Sequence, residues 1–166
     1  MDKTKRRMIE QTLVLIKPDC VKRGLIGEVT KRFELRGLKI AGMKMVQVDK
    51  DFSKKHYSAH IDKKFYKGLE TFITSGPVIA MAIEGVDSVE VVRKIVGSTE
   101  PKGADVGTIR GDYAHTSYGH ADEQSKAIEN LIHASGNSEE AKQEVALWFN
   151  INELHNYKLS HEEHTL

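Results

Sequence analysis

Residues 12–16, TLVLI, are apolar toward both sides of an extended chain, and that pattern limits the fold more than any other feature. A half-exposed strand alternates polar and apolar residues, whereas an unbroken apolar run of this length reads as a strand buried inside the fold. It ends at Lys17-Pro18-Asp19, where proline and aspartate stop the strand. After the turn at Gly24, the residues Ile26, Val29 and Phe33 recur at helical spacing until Gly37. Leu38 to Val48 reads as a second, longer strand, with helical segments over 54–60 and about 65–74. Residues 77–83, PVIAMAI, form a third strand, and Val89, Val92 and Val96 share one face of the helix after it. Residues 97–126 show little periodicity and are expected as one long loop region, of the kind that is usually functional or disordered. A short strand at 130–133 leads to a helix over about 138–149, with Asn137 as its N-cap and Glu140 three residues on.

The order is therefore β-α-β-α-β-α-loop-β-α. It predicts an α+β fold, a ferredoxin-like (split βαβ) sandwich with an antiparallel four-stranded sheet covered by helices, here expected on one face. Neither a repeat nor a linker divides the 166 residues. One domain is expected over 1–166, with a core of about 11–149 and a polar, weakly patterned tail over 150–166. A chain of this size buries a full core without disulfide or metal. Cys20 is the single cysteine, which excludes an internal disulfide and a cysteine zinc cage. A formal net charge of +1 gives no long-range attraction to nucleic acid or anionic membrane. The first dozen residues are basic, as a signal peptide begins, but the apolar stretch after them, Leu13 to Ile16, is too short to complete one. No segment approaches the ~20 apolar residues of a membrane span, so the cytoplasm is the expected location.

Neither G-x-x-x-x-G-K-[ST] nor G-x-G-x-x-G occurs, so any bound phosphate must be gripped by side chains. The candidates are Lys17 at a strand end, Arg93 in the helix after the third strand, and Arg110 in GTIRGD, whose glycines are expected to expose it. His133 ends the apolar NLI run and is followed by the small residues Ala134, Ser135 and Gly136, which leave room for a bulky group beside the imidazole. Glu144 lies on the following helix, where it can reach back and bond one ring nitrogen. That bond would fix the tautomer and leave the other nitrogen to attack. A structural histidine and a solvated helix carboxylate fit the same spacing, so these residues alone leave both readings open. Phe65, Tyr66 and Leu69 form a patch that suits either core packing or stacking on a base. His161 and His164 in HEEH lack the H-E-x-x-H zinc spacing and are expected in a solvated tail, and His115 and His120 at the surface.

The stretches TLVLIKPD, RGLIGEV, FELRGLKIAGMKM, KKHY, TSGPVIAMAIEG, VVRKIVGSTEP, GTIRGD and NLIHAS, followed by EVALWF, resemble the nucleoside diphosphate kinase family through nearly all of residues 12–149. The resemblance implies a ping-pong exchange in which a nucleoside triphosphate gives its γ-phosphoryl to a histidine and a nucleoside diphosphate takes it away. His133 matches that histidine and Glu144 the glutamate that orients it. Asn130 and Lys17 match residues that meet the ribose hydroxyl, and Lys17 also touches the phosphates. Arg93, Thr99 and Arg110 match the residues on the β- and γ-phosphates, Tyr57 a tyrosine near the histidine, and Phe65 and Leu69 the apolar clamp on the base. The family also implies Mg2+ bound through the nucleotide phosphates and not by protein side chains, and a homo-oligomer, with a hexamer preferred to a tetramer. Neither a membrane nor a nucleic acid is implied as a partner.

Three positions depart from the family pattern. H-[GA]-S-D reads His133-Ala134-Ser135-Gly136, P-G-T-I-R reads Val106-Gly107-Thr108-Ile109-Arg110, and the segment between Asp112 and Asn130 is longer than usual. The altered HASG segment is the one feature favouring a nucleotide-binding regulatory or scaffold protein without turnover. An RNA-binding ferredoxin-like module fits less well, because neither central strand carries the paired aromatics of an RNP motif and the net charge is near zero.

Overall fold

The structure is a computed structural model that describes residues 9–165. Most of the basic stretch weighed above as a signal start, residues 1–8, lies outside the described residues, as does Leu166. The chain begins with β1 (Ile9–Ile16), α1 (Pro18–Lys22), α2 (Ile26–Leu35) and β2 (Lys39–Gln47). Next come α3 (Lys50–His56), α4 (Tyr66–Ile73), β3 (Pro77–Val86) and α5 (Ser88–Val96). The second half holds α6 (Ile109–Tyr113), α7 (Tyr118–Glu123), β4 (Ile132–Ala134), α8 (Ser138–Trp148) and α9 (Glu162–Thr165). The strands form one sheet in the order β2-β3-β1-β4, every neighbouring pair antiparallel. This is the expected ferredoxin-like arrangement.

Helices cover both faces of the sheet, which corrects the expectation of one. On one side Val14, Ile16, Met81 and Ile83 pack against Val29 and Phe33 of α2 and Val92 and Val96 of α5. On the other, Leu13, Leu15, Ala80 and Ala82 meet Ile73 of α4, Val145 and Trp148 of α8, and Phe149. The TLVLI run already required this. Fully burying an aliphatic side chain contributes roughly 1.5–3 kcal/mol, and neither face of β1 could be left in water.

The region expected as one long loop carries α6 and α7, each opened by a side-chain cap. Thr108 Oγ1 accepts the Gly111 N–H, and Ser117 Oγ accepts the His120 N–H. Helices of five and six residues are too short to show a period, so their caps were the better signal. The tail is corrected as well, because it docks along the outer edge of β2. There β2 has a bulge between Ile40 and Gly42, and the Ala41 carbonyl accepts the His155 N–H at 2.7 Å. Tyr157 donates to the Ile40 carbonyl at 2.9 Å, and buried Lys39 pairs with Glu84 at 2.7 Å and Glu162 at 3.5 Å. A Cβ on Gly42 would come within 2.9 Å of the Glu153 carbonyl, so glycine there lets the tail approach. Among the described residues no helix is long and apolar enough to cross a membrane.

Candidate active site

The sheet order brings the two ends of the site together. β1 runs antiparallel to β4 with Leu15 opposite His133, so Lys17, just past the end of β1, meets the chain that enters β4. The Lys17 N–H donates to the Leu131 carbonyl at 2.8 Å, and its Nζ donates to Asn130 Oδ1 at 2.7 Å. Asn130 Nδ2 in turn donates to the Thr99 carbonyl at 2.8 Å.

Between Asn130 and His133 the backbone is strained. Leu131 has φ 71°, and the Ile132 N–H returns to the Asn130 carbonyl at 2.9 Å. That is a γ-turn in the left-handed region, which costs about 1–3 kcal/mol for a residue with a Cβ. Several bonds hold it. Asp19 Oδ2 accepts the Leu131 N–H at 3.0 Å. The Arg110 guanidinium donates to the carbonyls of Asn130 (3.2 Å), Ile132 (2.6 Å) and Gly97 (3.0 Å). Arg110 is therefore 7% exposed, which corrects the expectation that its glycines would expose it. Gly111 serves close packing instead, since a Cβ there would lie 2.0 Å from the Asp105 carbonyl oxygen.

Lys17, Arg93, Thr99, Arg110, Asn130 and His133 line one cavity of about 160 Å³. A wider groove of about 1100 Å³ runs past the start of β1, α5 and α8; of those six groups it includes Arg93 alone. The smaller cavity gathers six of the residues singled out from the sequence. Burial, with help from Arg110, lowers the Lys17 ammonium to about 8, partly offset by Asp19. Burial likewise lowers Arg110 to about 10, with Arg93 acting in the same direction. Lys17 and Arg110 are thus cations held out of water close to one another, an arrangement that favours a polyanion.

His133 is oriented as the sequence suggested. Its Nε2 sits 3.0 and 3.1 Å from the two oxygens of Glu144. Burial pushes the Glu144 carboxyl up, but hydrogen bonds from His133 and Ser135 outweigh it and hold the carboxyl low. A carboxylate next to Nε2 keeps the proton there and leaves the Nδ1 lone pair for attack. Ser135, which sequence reasoning left unassigned, donates to Glu144 Oε2 at 2.6 Å and accepts the Leu13 N–H at 3.2 Å. Its signal was its place in the H-[GA]-S-D pattern.

Not every expected residue reaches the cavity. Tyr57 packs 4.6 Å from His56 by ring centroids, and burial, followed by nearby Glu144, raises its phenol well above the usual range. Phe65 is exposed at the start of α4, 5.7 Å from the His60 ring, and Leu69 is half-buried on the same helix. Neither lines the cavity, but α4 flanks it, because Lys17 Nζ stands 5.7 Å from the Phe72 ring centroid. His56, also unassigned from the sequence, was within reach as the neighbour of Tyr57 in KKHY. It forms a His-His-Glu group with His133 and Glu144, with donor atoms within 4.8 Å of one another.

Two departures from the family pattern are compensated locally. Asn137 caps α8, its Oδ1 accepting the Glu139 and Glu140 N–H groups at 3.0 and 2.9 Å. Glu140 takes the space beside Gly136, accepting the Gly136 N–H at 2.9 Å and the Asn137 amide at 2.9 Å. Where the family pattern has proline, Val106 is exposed, and the loop is held by Asp112, which accepts the Gly107 N–H at 2.7 Å. Arg32 binds Asp112 in turn.

The sequence matches the nucleoside diphosphate kinase family over residues 10–154. A nucleoside diphosphate kinase of Pyrococcus abyssi is 51% identical over 148 residues, covering 89% of this chain and 89% of that protein. One from Sulfurisphaera tokodaii is 51% identical over 146 residues, 88% of this chain and 92% of that protein. Among solved structures, the chain superposes with TM-score 0.91 and 44% identity on a transition-state mimic of the Borrelia burgdorferi kinase with bound vanadate and ADP, covering 95% of this chain and 96% of that one. The Halobacterium salinarum kinase in complex with CDP aligns with TM-score 0.84 and 42% identity over 94% of this chain and 97% of that one.

Proposed function

The chain belongs to the nucleoside diphosphate kinase family and is a phosphotransferase of that kind, and we propose that it moves a γ-phosphoryl group from a nucleoside triphosphate, typically ATP, to a nucleoside diphosphate through a phosphohistidine at His133 Nδ1. The observation that carries the site assignment is the pairing of His133 Nε2 with both Glu144 oxygens at the wall of a cavity lined by three cationic side chains. In the first half-reaction the Nδ1 lone pair forms the N–P bond. The bond from phosphorus to the bridging oxygen breaks, and its electron pair leaves with the nucleoside diphosphate. The second half-reaction reverses this with another diphosphate. Such a transfer needs positioning and charge neutralisation more than proton chemistry.

Lys17, Arg93, Thr99 and Arg110 would hold the phosphates, and Lys17 and Asn130 would exchange their mutual bond for the ribose hydroxyl. Phe65 and Leu69 would cover the base, and Tyr57 would stand beside the phosphorylated ring. Among the described residues the cavity lining has no carboxylate, which suits a divalent cation, Mg2+, carried in on the nucleotide phosphates. When bound it neutralises part of the charge spreading over the transferring group. Two further proposals are a homo-oligomer, hexamer before tetramer, and a cytoplasmic location. The β2 edge exposes Met43 and Met45, apolar side chains that suit burial by a neighbouring subunit.

The test is direct. With Mg2+ and γ-labelled ATP the protein should acquire label at His133 and release it onto an added second nucleoside diphosphate. Label at another residue, or no second transfer, overturns the proposal. A pH profile gives a second measurement. Lys17 in the free enzyme loses its proton as pH rises through about 8, so kcat/KM is expected to fall across that range. Bound phosphates favour the ammonium, so kcat should fall only at higher pH. A Lys17→Met protein should lack that alkaline limb in kcat/KM.

A further inference from the structure

One half-buried histidine stands against the nucleophile without lining the phosphate cavity. His56, the last residue of α3, accepts the Trp148 Nε1–H at its Nδ1, 3.2 Å away. An indole nitrogen can only donate, so the neutral His56 ring carries its own proton on Nε2. That Nε2 is buried and meets no acceptor from the protein. The ring lies edge-to-face with His133, centroids 4.9 Å apart at 85°, and is boxed by Trp148 at 5.4 Å and Tyr57 at 4.6 Å. Burial lowers its pKa to about 3, and nearby His133 acts in the same direction.

A His-His-Glu group at this spacing suggests a cation site. The tautomer argues against it. An ion would need the Nε2 lone pair, which is engaged by a proton, while Nδ1 is engaged by Trp148. The charge flow of the reaction points elsewhere. As Nδ1 of His133 bonds to phosphorus, the proton between Nε2 and Glu144 stays, so the His133 ring passes from neutral to cationic. Glu144 favours that change, and a second cation beside the ring would oppose it. Of the groups packed around His56, Glu144 is anionic, Tyr57 and Trp148 are neutral, and Lys17 and His60 act on it more weakly than His133 and Glu144 do.

We propose that His56, locked by Trp148 in a single neutral tautomer, is a positioning residue that holds the His133 ring at its working angle and keeps the space beside it uncharged while that ring becomes cationic. This rests on the reading of His133 as the nucleophile. The role requires a neutral group that accepts from Trp148 and presents an N–H edge. Asparagine can accept the Trp148 N–H and present an N–H of its own, and phenylalanine fills the space without either.

The experiment compares wild type, His56→Phe and His56→Asn in single-turnover phosphorylation by Mg2+-ATP. The lone tryptophan, Trp148, serves as a fluorescence reporter, and melting curves are taken alongside. His56→Phe is expected to slow enzyme phosphorylation about tenfold or more, with KM within about twofold, because a small misalignment of the attacking nitrogen acts on the chemical step. His56→Asn should recover most of the rate. Phosphorylation of His56→Phe at the wild-type rate overturns the proposal. So does an equal loss in both variants that follows their melting temperatures, which would make the role merely structural. Tight Zn2+ binding by wild type that His56→Asn abolishes would put a cation site there instead. If wild type itself forms no phosphohistidine, the His133 reading fails and this proposal falls with it.

Discussion

A His133→Ala protein is expected to lose phosphoryl exchange by about 10⁴-fold or more, while its affinity for a nucleoside diphosphate stays within a few fold. The two effects separate because different groups cause them. Lys17, Arg93 and Arg110 remain at the cavity and still meet the phosphates. No neighbour can take over the attack. Lys17 beside bound phosphates is an ammonium with no lone pair to give, and the acceptor nitrogen of His56 is taken by Trp148. Exchange from ATP to a second diphosphate measures the loss, and calorimetric titration with ADP measures the binding that remains. Full activity in the alanine protein would remove His133 from the mechanism, and loss of binding along with activity would show that the pocket itself had collapsed.

Arg110→Ala should do more damage to the fold than any other single change at the site. Its guanidinium donates to the two carbonyls that flank the Leu131 γ-turn, Asn130 and Ile132, and to the Gly97 carbonyl at the end of α5. Without it the Asn130 carbonyl keeps only the strained turn bond from the Ile132 N–H, next to backbone already at φ 71°. Three lost charge-assisted bonds should lower stability by about 3–5 kcal/mol, and kcat/KM should fall about 10²–10³-fold. Arg110→Lys should rescue little, because an ammonium cannot fork to three separated carbonyls. Arg93→Ala is the control. Arg93 is exposed, so its loss should change stability by about 0.5 kcal/mol or less and act mainly on activity. Urea melts of the three variants decide it. An Arg110→Ala protein that melts like wild type would mean that the turn is held by Asp19 and Lys17 alone.

Glu140 and Asn137 bear on the alternative of a scaffold that binds without turnover. The reading rested on Gly136 replacing an acidic residue. In the structure the turn after His133 is pinned by Glu140 from one helical turn along, and the Ser135–Glu144–His133 line is intact. The feature that favoured lost activity no longer does so.

The sequence by itself determined the four strands and most of the helices, and it put the His133 imidazole within reach of the Glu144 carboxylate. Each of those is a local property. TLVLI is buried because five consecutive residues leave it no polar face, α5 forms because Val89, Val92 and Val96 align every turn, and Glu144 follows His133 by a short helical reach. Tertiary structure alone decided the rest. Lys17 and Asn130 are 113 residues apart in the chain and bonded in space, the tail closes on a β2 carbonyl that a bulge turns outward, and His56 meets Trp148 across 92 residues. Arg110 looks like a surface arginine beside a glycine until the turn it clamps is folded beneath it. Such contacts leave no period in the sequence, because each depends on one side chain meeting one distant backbone or ring. Hydrophobic pattern selects the sheet and its covering helices; the folded sheet then decides which polar groups share the small volume around His133.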